Sequence, residues 1–420
     1  MDIISEQQTL FYLLVGVFGL ALCFGIGASG VASVIGTSVG GGAISVRQAV
    51  ALAAVMEFAG AYLAGGEVSD TLAHGIIDGQ HFADAPRLLV VVMLAALMAA
   101  GMWLLLASVR GWPVAATHAL VGALCGAAIA ALDVEAVNWL TVVEIGFGWL
   151  LAPLFGCLLA LLLTMSCRRL IFNTARPVAE ARKWSPLYAF LVGWSVTAIT
   201  VGSGLRHVDI RLSGIAGQWL AIAVGIAIAA AARRLIGGVD LGDPFDRDRQ
   251  HASVERLFLP QLALTGAALA FAHGSNEVAN GIGPMATVLR ILATGEVPGR
   301  SPVTPWILLL GSVGIVAGLA TYGPRVMATV GKRITALTPS RAYCAAVATA
   351  LVTVTASGLG LPLATAHVAV GAVIGVGITR GLGALDLRVI GGIIVSWLIT
   401  VPVSALSAAL VCRALQAIFF

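Results

Sequence analysis

The sequence predicts an all-α polytopic membrane protein of about twelve transmembrane helices with two re-entrant segments, built from two inverted-topology repeats. Three observations carry this. Of 420 residues, 59% are hydrophobic and 10% charged, against roughly 25% charged in a soluble domain. Apolar stretches of about 20 residues recur, the length that crosses a bilayer as a helix. Two motifs occur twice at nearly one offset. An outer-membrane barrel would show short alternating strands instead.

The N-terminal stretch MDIISEQQTLF is acidic, whereas a signal peptide starts positive and ends in a cleavage site. The first apolar stretch is therefore expected to remain as a span. Apolar runs place spans at 9–28, 48–65, 88–109, 114–132, 139–165, 185–203, 214–232, 258–280, 303–323, 342–360, 365–382 and 389–412. The Gly-rich or short segments 31–46 and 281–297 are expected to be re-entrant. With the N-terminus outside, inner loops collect 18 of the 24 Lys and Arg residues, Arg47, Arg110, Arg168, Arg341 and Arg380 among them. That bias sets orientation. Both termini then lie outside an inner (plasma) membrane. The charged stretch DLGDPFDRDRQ falls in the inner loop 233–257 and reads as a solvated linker. The six cysteines (Cys23, Cys125, Cys157, Cys167, Cys344, Cys412) lie mostly in apolar segments without paired spacing and read as small buried hydrophobes.

GASGVASVIG at 27–36 aligns with GSNEVANGIG at 274–283, an offset of 247. PVAATHALVGALCG at 113–126 aligns with PLATAHVAVGAVIG at 362–375, an offset of 249. Two motif pairs at nearly one spacing indicate an internal duplication. The span before the first copy runs inward and the span before the second runs outward, so the repeats are inverted, a plan common in secondary transporters. The expected organisation is a first repeat over 1–165, central spans and a charged loop over 166–257, and a second repeat over 258–420. Gly25, Gly27, Gly30, Gly36 and Gly40 to Gly42 in one half, and Gly274, Gly281, Gly283 and Pro284 in the other, are expected to break helices near the midplane. Irregular backbone at that depth is tolerated only beside a polar cavity or within protein.

AHGSNEVANGIGP resembles the His-Gly-Ala-Asn-Asp-Val-Ala-Asn signature of the PiT inorganic phosphate transporter family. PVAATHALVGA and LPLATAHVAVGA resemble its Pro-Val-Ser-Thr-Thr-His elements, and GTSVGGGAISVRQAVALAAVMEFAGA and GLATYGPRVMATVGKRITALTPSRA also read like the family. The resemblance implies a symporter, not an enzyme, that moves inorganic phosphate with a cation where the two signatures meet. Asn276, Glu277 and Asn280 fall on the family's Asn, Asp and Asn; Thr117 with His118, and Thr365 with His367, fall on the hydroxyl-and-histidine elements. The first signature departs: Ser29, Gly30 and Ser33 stand where Asn, Asp and Asn are usual, and Ala115, Ala116, Ala364 and Ala366 replace hydroxyl residues. In this it resembles the sulfate-permease branch of the same family.

Phosphate keeps a proton that a carboxylate can accept, whereas sulfate keeps none. Glu277 is the carboxylate placed to do so and is the natural proton carrier. The expected anion-binding set is Ser29, Ser33, Thr37, Ser38, Thr117, Ser275 and Thr365, with backbone N–H groups at helix starts. Serine and threonine in helices also bond their own carbonyls, the competing structural role for each. Asn276, Glu277, Asn280 and Glu57 are expected to couple a proton or sodium, with Asn276, Glu277 and Asn280 as the sodium ligands. His118, His273 and His367 are expected in support, His273 one turn before Glu277. Intramembrane ionisable groups are functional candidates; Glu144 reads as interfacial and Asp70 as lying at the outer mouth. The leading expectation is phosphate symport with protons or sodium and no cofactor beyond the coupling ion. Sulfate permeation and a passive oxyanion channel are the alternatives. Partners are the anion, the cation, the bilayer and a second copy in a homodimer, with no nucleic acid. His273 and Glu277 could instead hold a metal in an intramembrane hydrolase, but no His-Glu-x-x-His or nucleophile motif accompanies them.

Overall fold

Apolar residues without strand alternation leave the backbone one way to satisfy its polar groups in lipid, the helix. The computed structural model describes residues 8–64, 75–201, 214–237, 246–298, 303–358 and 364–420. Asp70 lies outside them. The helices are α1 Gln8–Gly40, α2 Val46–Ala64, α3 Pro86–Val109, α4 Ala116–Ala131, α5 Trp139–Phe172, α6 Pro177–Ile199, α7 Gly214–Gly237, α8 Arg247–Thr294, α9 Pro305–Thr321, α10 Gly323–Arg333, α11 Pro339–Gly358, α12 Thr365–Ile378 and α13 Leu387–Phe419. Six of them, α1, α3, α5, α7, α8 and α13, are long and apolar enough to cross a membrane by themselves, and α9 and α10, bent by 58° at their junction, reach that length and apolarity only together. Leu150, Leu154 and Leu158 on one face of α5 are 72, 60 and 52% exposed. Such a stripe belongs against lipid tails. The chain is a multi-pass membrane protein.

Local signals set the helix ends. Asp246 caps α8 by accepting from the N–H groups of Asp248 and Arg249, and Asp386 caps α13 through Arg388 and Val389. Proline opens α3, α6 and α9. Gly295, at φ 75°, closes α8 in the left-handed region.

The repeats are visible in packing. Gly19 of α1 abuts Met285 of α8, and Ser38 of α1 abuts Gly266 of α8. Adding 247 to one residue of each pair and subtracting it from the other converts one contact into the other. Gly274 lies on the Glu57 carbonyl and Gly27 on the Ile315 carbonyl; Gly60 lies on the Phe271 carbonyl and Gly318 on the Phe24 carbonyl. Gly122 and Gly126 of α4 lie on the Val401 and Ala405 carbonyls of α13, as Gly371 and Gly375 of α12 lie on the Pro153 and Cys157 carbonyls of α5. The pairs obey one pseudo-twofold relation, antiparallel along α1 and α8, and its axis passes near Ala28–Ser29 and Ser275–Asn276. The relation equates α2 with α9, so the counterpart of Glu57 is Ile315.

The re-entrant elements are not where the glycine content placed them. Segment 31–40 continues α1 through a π-turn at Gly27–Val31, and segment 281–294 continues α8. Gly42, at φ 75°, follows the end of α1, while Gly27, Gly40 and Gly274, also expected to break helices, instead remove the Cβ where the backbone of another helix touches. Their helix penalty of about 1 kcal/mol each is offset by that packing. The short elements are α4 and α12, of 16 and 14 residues, below the roughly 20 needed to cross. Each pairs with the helix before it as a hairpin, α3–α4 and α11–α12, and the first turns of α4 and α12 meet at the axis.

Candidate functional site

Two helix N-termini converge at the centre. Ala115 and Ala364 occupy the N-cap positions of α4 and α12, and neither supplies a side-chain cap. The first N–H groups of each helix therefore lack the usual oxygen partner. One turn in, the rings of His118 and His367 meet edge to face, centroids 4.4 Å apart. Trp149 stacks on His118 and Trp397 on His367, each at 3.7 Å. The resulting column of four rings obeys the same twofold relation. Thr117 Oγ1, His118 Nδ1 and His367 Nε2 are buried there without hydrogen-bond partners. His367 Nδ1 lies 3.4 Å from the Trp149 carbonyl. Thr365, the first residue of α12, is buried.

The tip of the first hairpin is tied down. Ser29 Oγ donates to the Val114 carbonyl at 2.7 Å and accepts from Val114 N–H at 3.0 Å. Thr329 Oγ1 donates to the Gly111 carbonyl, Arg325 Nη1 to the Val109 carbonyl and Trp397 Nε1 to the Pro113 carbonyl, at 2.8–2.9 Å. A helix start is thus held at the depth where α1 widens into its π-turn, a feature often found at functional sites.

Around the axis the expected residues divide. Ser33 Oγ donates to the Ser29 carbonyl, Thr37 Oγ1 to Val34 and Ser275 Oγ to Ala272, each within its own helix. Ser38 Oγ donates to the Leu262 carbonyl. With Ser29, five of the seven expected anion donors have their hydrogens committed in this conformation. Thr117 and Thr365 carry no such bond.

The ionisable residues cluster on one side. Glu277 accepts from Asn280 Nδ2 at 2.7 Å, leaving Asn280 Oδ1 without a partner. His273 does not orient Glu277 by a hydrogen bond, although it lies one turn away. Its Nδ1 sits 2.8 Å from Glu57 Oε1, with both side chains fully buried. His273 Nε2 and Glu57 Oε2 have no hydrogen-bond partner. Gly30 gives the imidazole its room: a Cβ there would stand 2.6 Å from His273 Nε2. Among the described residues no group of three or more His, Cys, Asp or Glu is arranged to hold a metal ion. Asn276 is half-buried and Glu144 is exposed.

The aromatic column escaped the sequence reading. The signal was present: Trp149-Leu-Leu-Ala-Pro153 and Trp397-Leu-Ile-Thr-Val-Pro402 stand at the repeat offset.

Inverted repeats, paired hairpins and a buried polar centre are the plan of a membrane transporter of the secondary type. A sequence profile of the phosphate transporter family matches residues 26–408, and the chain belongs to that family. A Haemophilus influenzae protein named as a phosphate permease is 40% identical over 420 residues, all of both chains. The Arabidopsis thaliana protein "Inorganic phosphate transporter 2-1, chloroplastic" is 36% identical over 92% of this chain and 69% of its own length. A solved structure titled "The sodium-dependent phosphate transporter" superposes with a TM-score of 0.89 at 33% identity, covering 97% of this chain and all of the other.

Proposed function

We propose that the chain carries inorganic phosphate across an inner (plasma) membrane by symport with sodium or protons, as a homodimer with both termini outside. The repeats 1–165 and 258–420 form the transport core, and 166–257 is a peripheral unit whose helices α6 and α7 pack on each other. The anion sits where α4 and α12 begin, held by their free N–H groups, Thr117, Thr365 and the ring nitrogens of His118 and His367. Ser29, Ser33, Thr37, Ser38 and Ser275 shape the wall and join the anion only by giving up their present bonds. The coupling ion belongs with Glu277, Asn276, Asn280 and Glu57. The relatives' names for phosphate, and for sodium dependence in the solved structure, support the reading.

The observation that carries it is the pair of uncapped helix starts facing one another. Each N-terminus is worth about half a positive charge, so the pair matches roughly one negative charge. Dihydrogen phosphate brings one; sulfate brings two and no proton for Glu277 to accept. The test is uptake into proteoliposomes of labelled phosphate and labelled sulfate in parallel, with and without sodium and across pH. Saturable phosphate uptake, driven by a cation gradient and unaffected by excess sulfate, is expected. Sulfate uptake indifferent to phosphate, or flux that never rises above equilibrium, would replace the reading with a sulfate permease or a channel.

A further inference from the structure

The end of α5 joins an apolar stripe to a group of arginines. Leu150, Leu154, Leu158, Leu162 and Met165 of α5 are each more than half exposed. Steps of three and four residues keep them on one face of the helix, and the next step lands on Arg169. There the helix widens into a π-turn over Arg168–Phe172. Beside it opens a cavity of about 740 Å³ lined by Met165, Ser166, Arg168, Arg169, Leu170 and Asn173. Its wall is apolar at Met165, where it meets the stripe, and cationic at the two arginines.

More positive charge stands beside Arg168. Its Nη1 donates to the Thr379 carbonyl just past α12 at 3.1 Å, and Arg380 Nη1 donates to the Ala336 carbonyl at 3.3 Å. Arg341, near the start of α11, feels the charges of Arg380, Glu255 and Arg168. Both oxygens of Glu255 already accept from Ser340, Oε2 from its N–H at 2.7 Å and Oε1 from its hydroxyl at 2.8 Å. The ion pairs among the described residues are His81–Asp78, Arg249–Asp246 and His273–Glu57, so none holds an arginine of this group. The carbonyl ends of α5 and α12 each carry about half a negative charge. Four guanidiniums against one carboxylate and two helix ends leave roughly two positive charges. A guanidinium has five N–H donors in a planar fork, so the single carbonyl bond of Arg168 leaves most of its donors for an anion.

A phosphate group suits planar N–H donors of this kind, and the stripe says what carries the phosphate. From Leu158 to Arg169 the helix rises about 16 Å, against about 15 Å for half of a bilayer's hydrocarbon core. A lipid whose chains follow Leu158, Leu162 and Met165 therefore brings its headgroup level with Arg168 and Arg169. A zwitterionic headgroup offsets its phosphate with an ammonium and gains little here, whereas basic pockets at a membrane interface select anionic headgroups.

We propose that the cavity at the end of α5 seats the phosphate of an anionic phospholipid, held by Arg168 and Arg169 with its acyl chains along the exposed face of α5. The seat is separate from the anion site at the axis and does not depend on what is transported. Arg341 and Arg380 raise the local potential without lining the cavity.

The test is native mass spectrometry of the full chain in mixed micelles holding phosphatidylglycerol and phosphatidylcholine of identical chains at equal concentration. The wild type is expected to retain one phosphatidylglycerol in preference to phosphatidylcholine. Arg169→Gln and Arg168→Gln should each lower that preference roughly fivefold, the equivalent of about 1 kcal/mol for one basic residue at an anionic membrane surface. Arg290→Gln, at the opposite end of α8 from Glu255, should leave it unchanged. Arg168→Gln also loses the bond to Thr379; should that variant not stay monodisperse, Arg169→Gln decides the outcome. The wild-type preference persisting in Arg169→Gln overturns the proposal. An equal loss in Arg290→Gln overturns it too, because net charge rather than the cavity would then select the lipid. Release of the retained lipid by millimolar inorganic phosphate would make the seat a site for the free anion, and no preference in the wild type would remove the seat altogether.

Discussion

The two halves of the core share a backbone plan and differ in chemistry. At the ring column they match: His118 with Trp149 and His367 with Trp397 stack at the same 3.7 Å. A few residues away they diverge, with Glu277, His273 and Glu57 facing Gly30, Ile26 and Ile315. A duplicated fold keeps the contacts that hold helices together, because each glycine against a carbonyl leaves no room for change. It leaves polar side chains at the axis free to diverge. Symmetry here is a property of packing, and asymmetry marks the residues that carry charge.

The largest effect expected from breaking the asymmetry is at Glu277. Glu277→Gln turns the charge-assisted Asn280 bond into a neutral one and removes the unpaired charge. A bond to a charged group contributes about 1.5–3 kcal/mol, so cation-driven phosphate accumulation should fall roughly 10- to 100-fold, read as the steady-state gradient in proteoliposomes. Ile315→Val, at the counterpart of Glu57, should leave that gradient unchanged.

Next is Gly30→Ala. The added methyl meets His273 Nε2 and must displace the ring from Glu57. Overpacking of this kind costs about 1–3 kcal/mol, visible as a lower unfolding temperature in detergent together with weaker uptake. Gly16→Ala, with nothing within 4 Å of the new methyl, should show neither. An unchanged melting curve for Gly30→Ala would mean that the imidazole has free space elsewhere.

Ser29→Ala should come third. It deletes both bonds to Val114 and loosens the first hairpin tip, lowering stability by about 1–2 kcal/mol and raising the KM for phosphate. Equal KM in wild type and variant would show that the tip does not position the anion. The smallest effects belong to Ser33→Ala and Ser275→Ala. Their hydroxyls only bond their own helices, and stability should stay within about 0.5 kcal/mol. A large loss of transport in either would reveal a conformation in which that hydroxyl turns to the anion.

Hydropathy made the membrane class legible, since it follows from solvation of single segments. The duplicated motifs disclosed the repeats, and the polar residues of AHGSNEVANGIGP marked the centre. The hairpins were misplaced because glycine has two uses that sequence alone does not separate. It can end a helix, or it can let two helices touch. Gly27, Gly274 and Gly281 have the second use, so α1 and α8 run on, and the helix starts come from the alanine-capped α4 and α12. Likewise Glu57 and His273 lie more than two hundred residues apart in sequence, and nothing local announces their contact.

The sequence by itself determined the solvent, the helical content, the duplication and the residues with charge to offer. These are properties of composition and short-range pattern. Only the tertiary structure decided which hydroxyls are spent, which helix starts face one another, and that His273 turns to Glu57 across Gly30. Those outcomes depend on which surfaces meet when helices from both halves pack around a common axis.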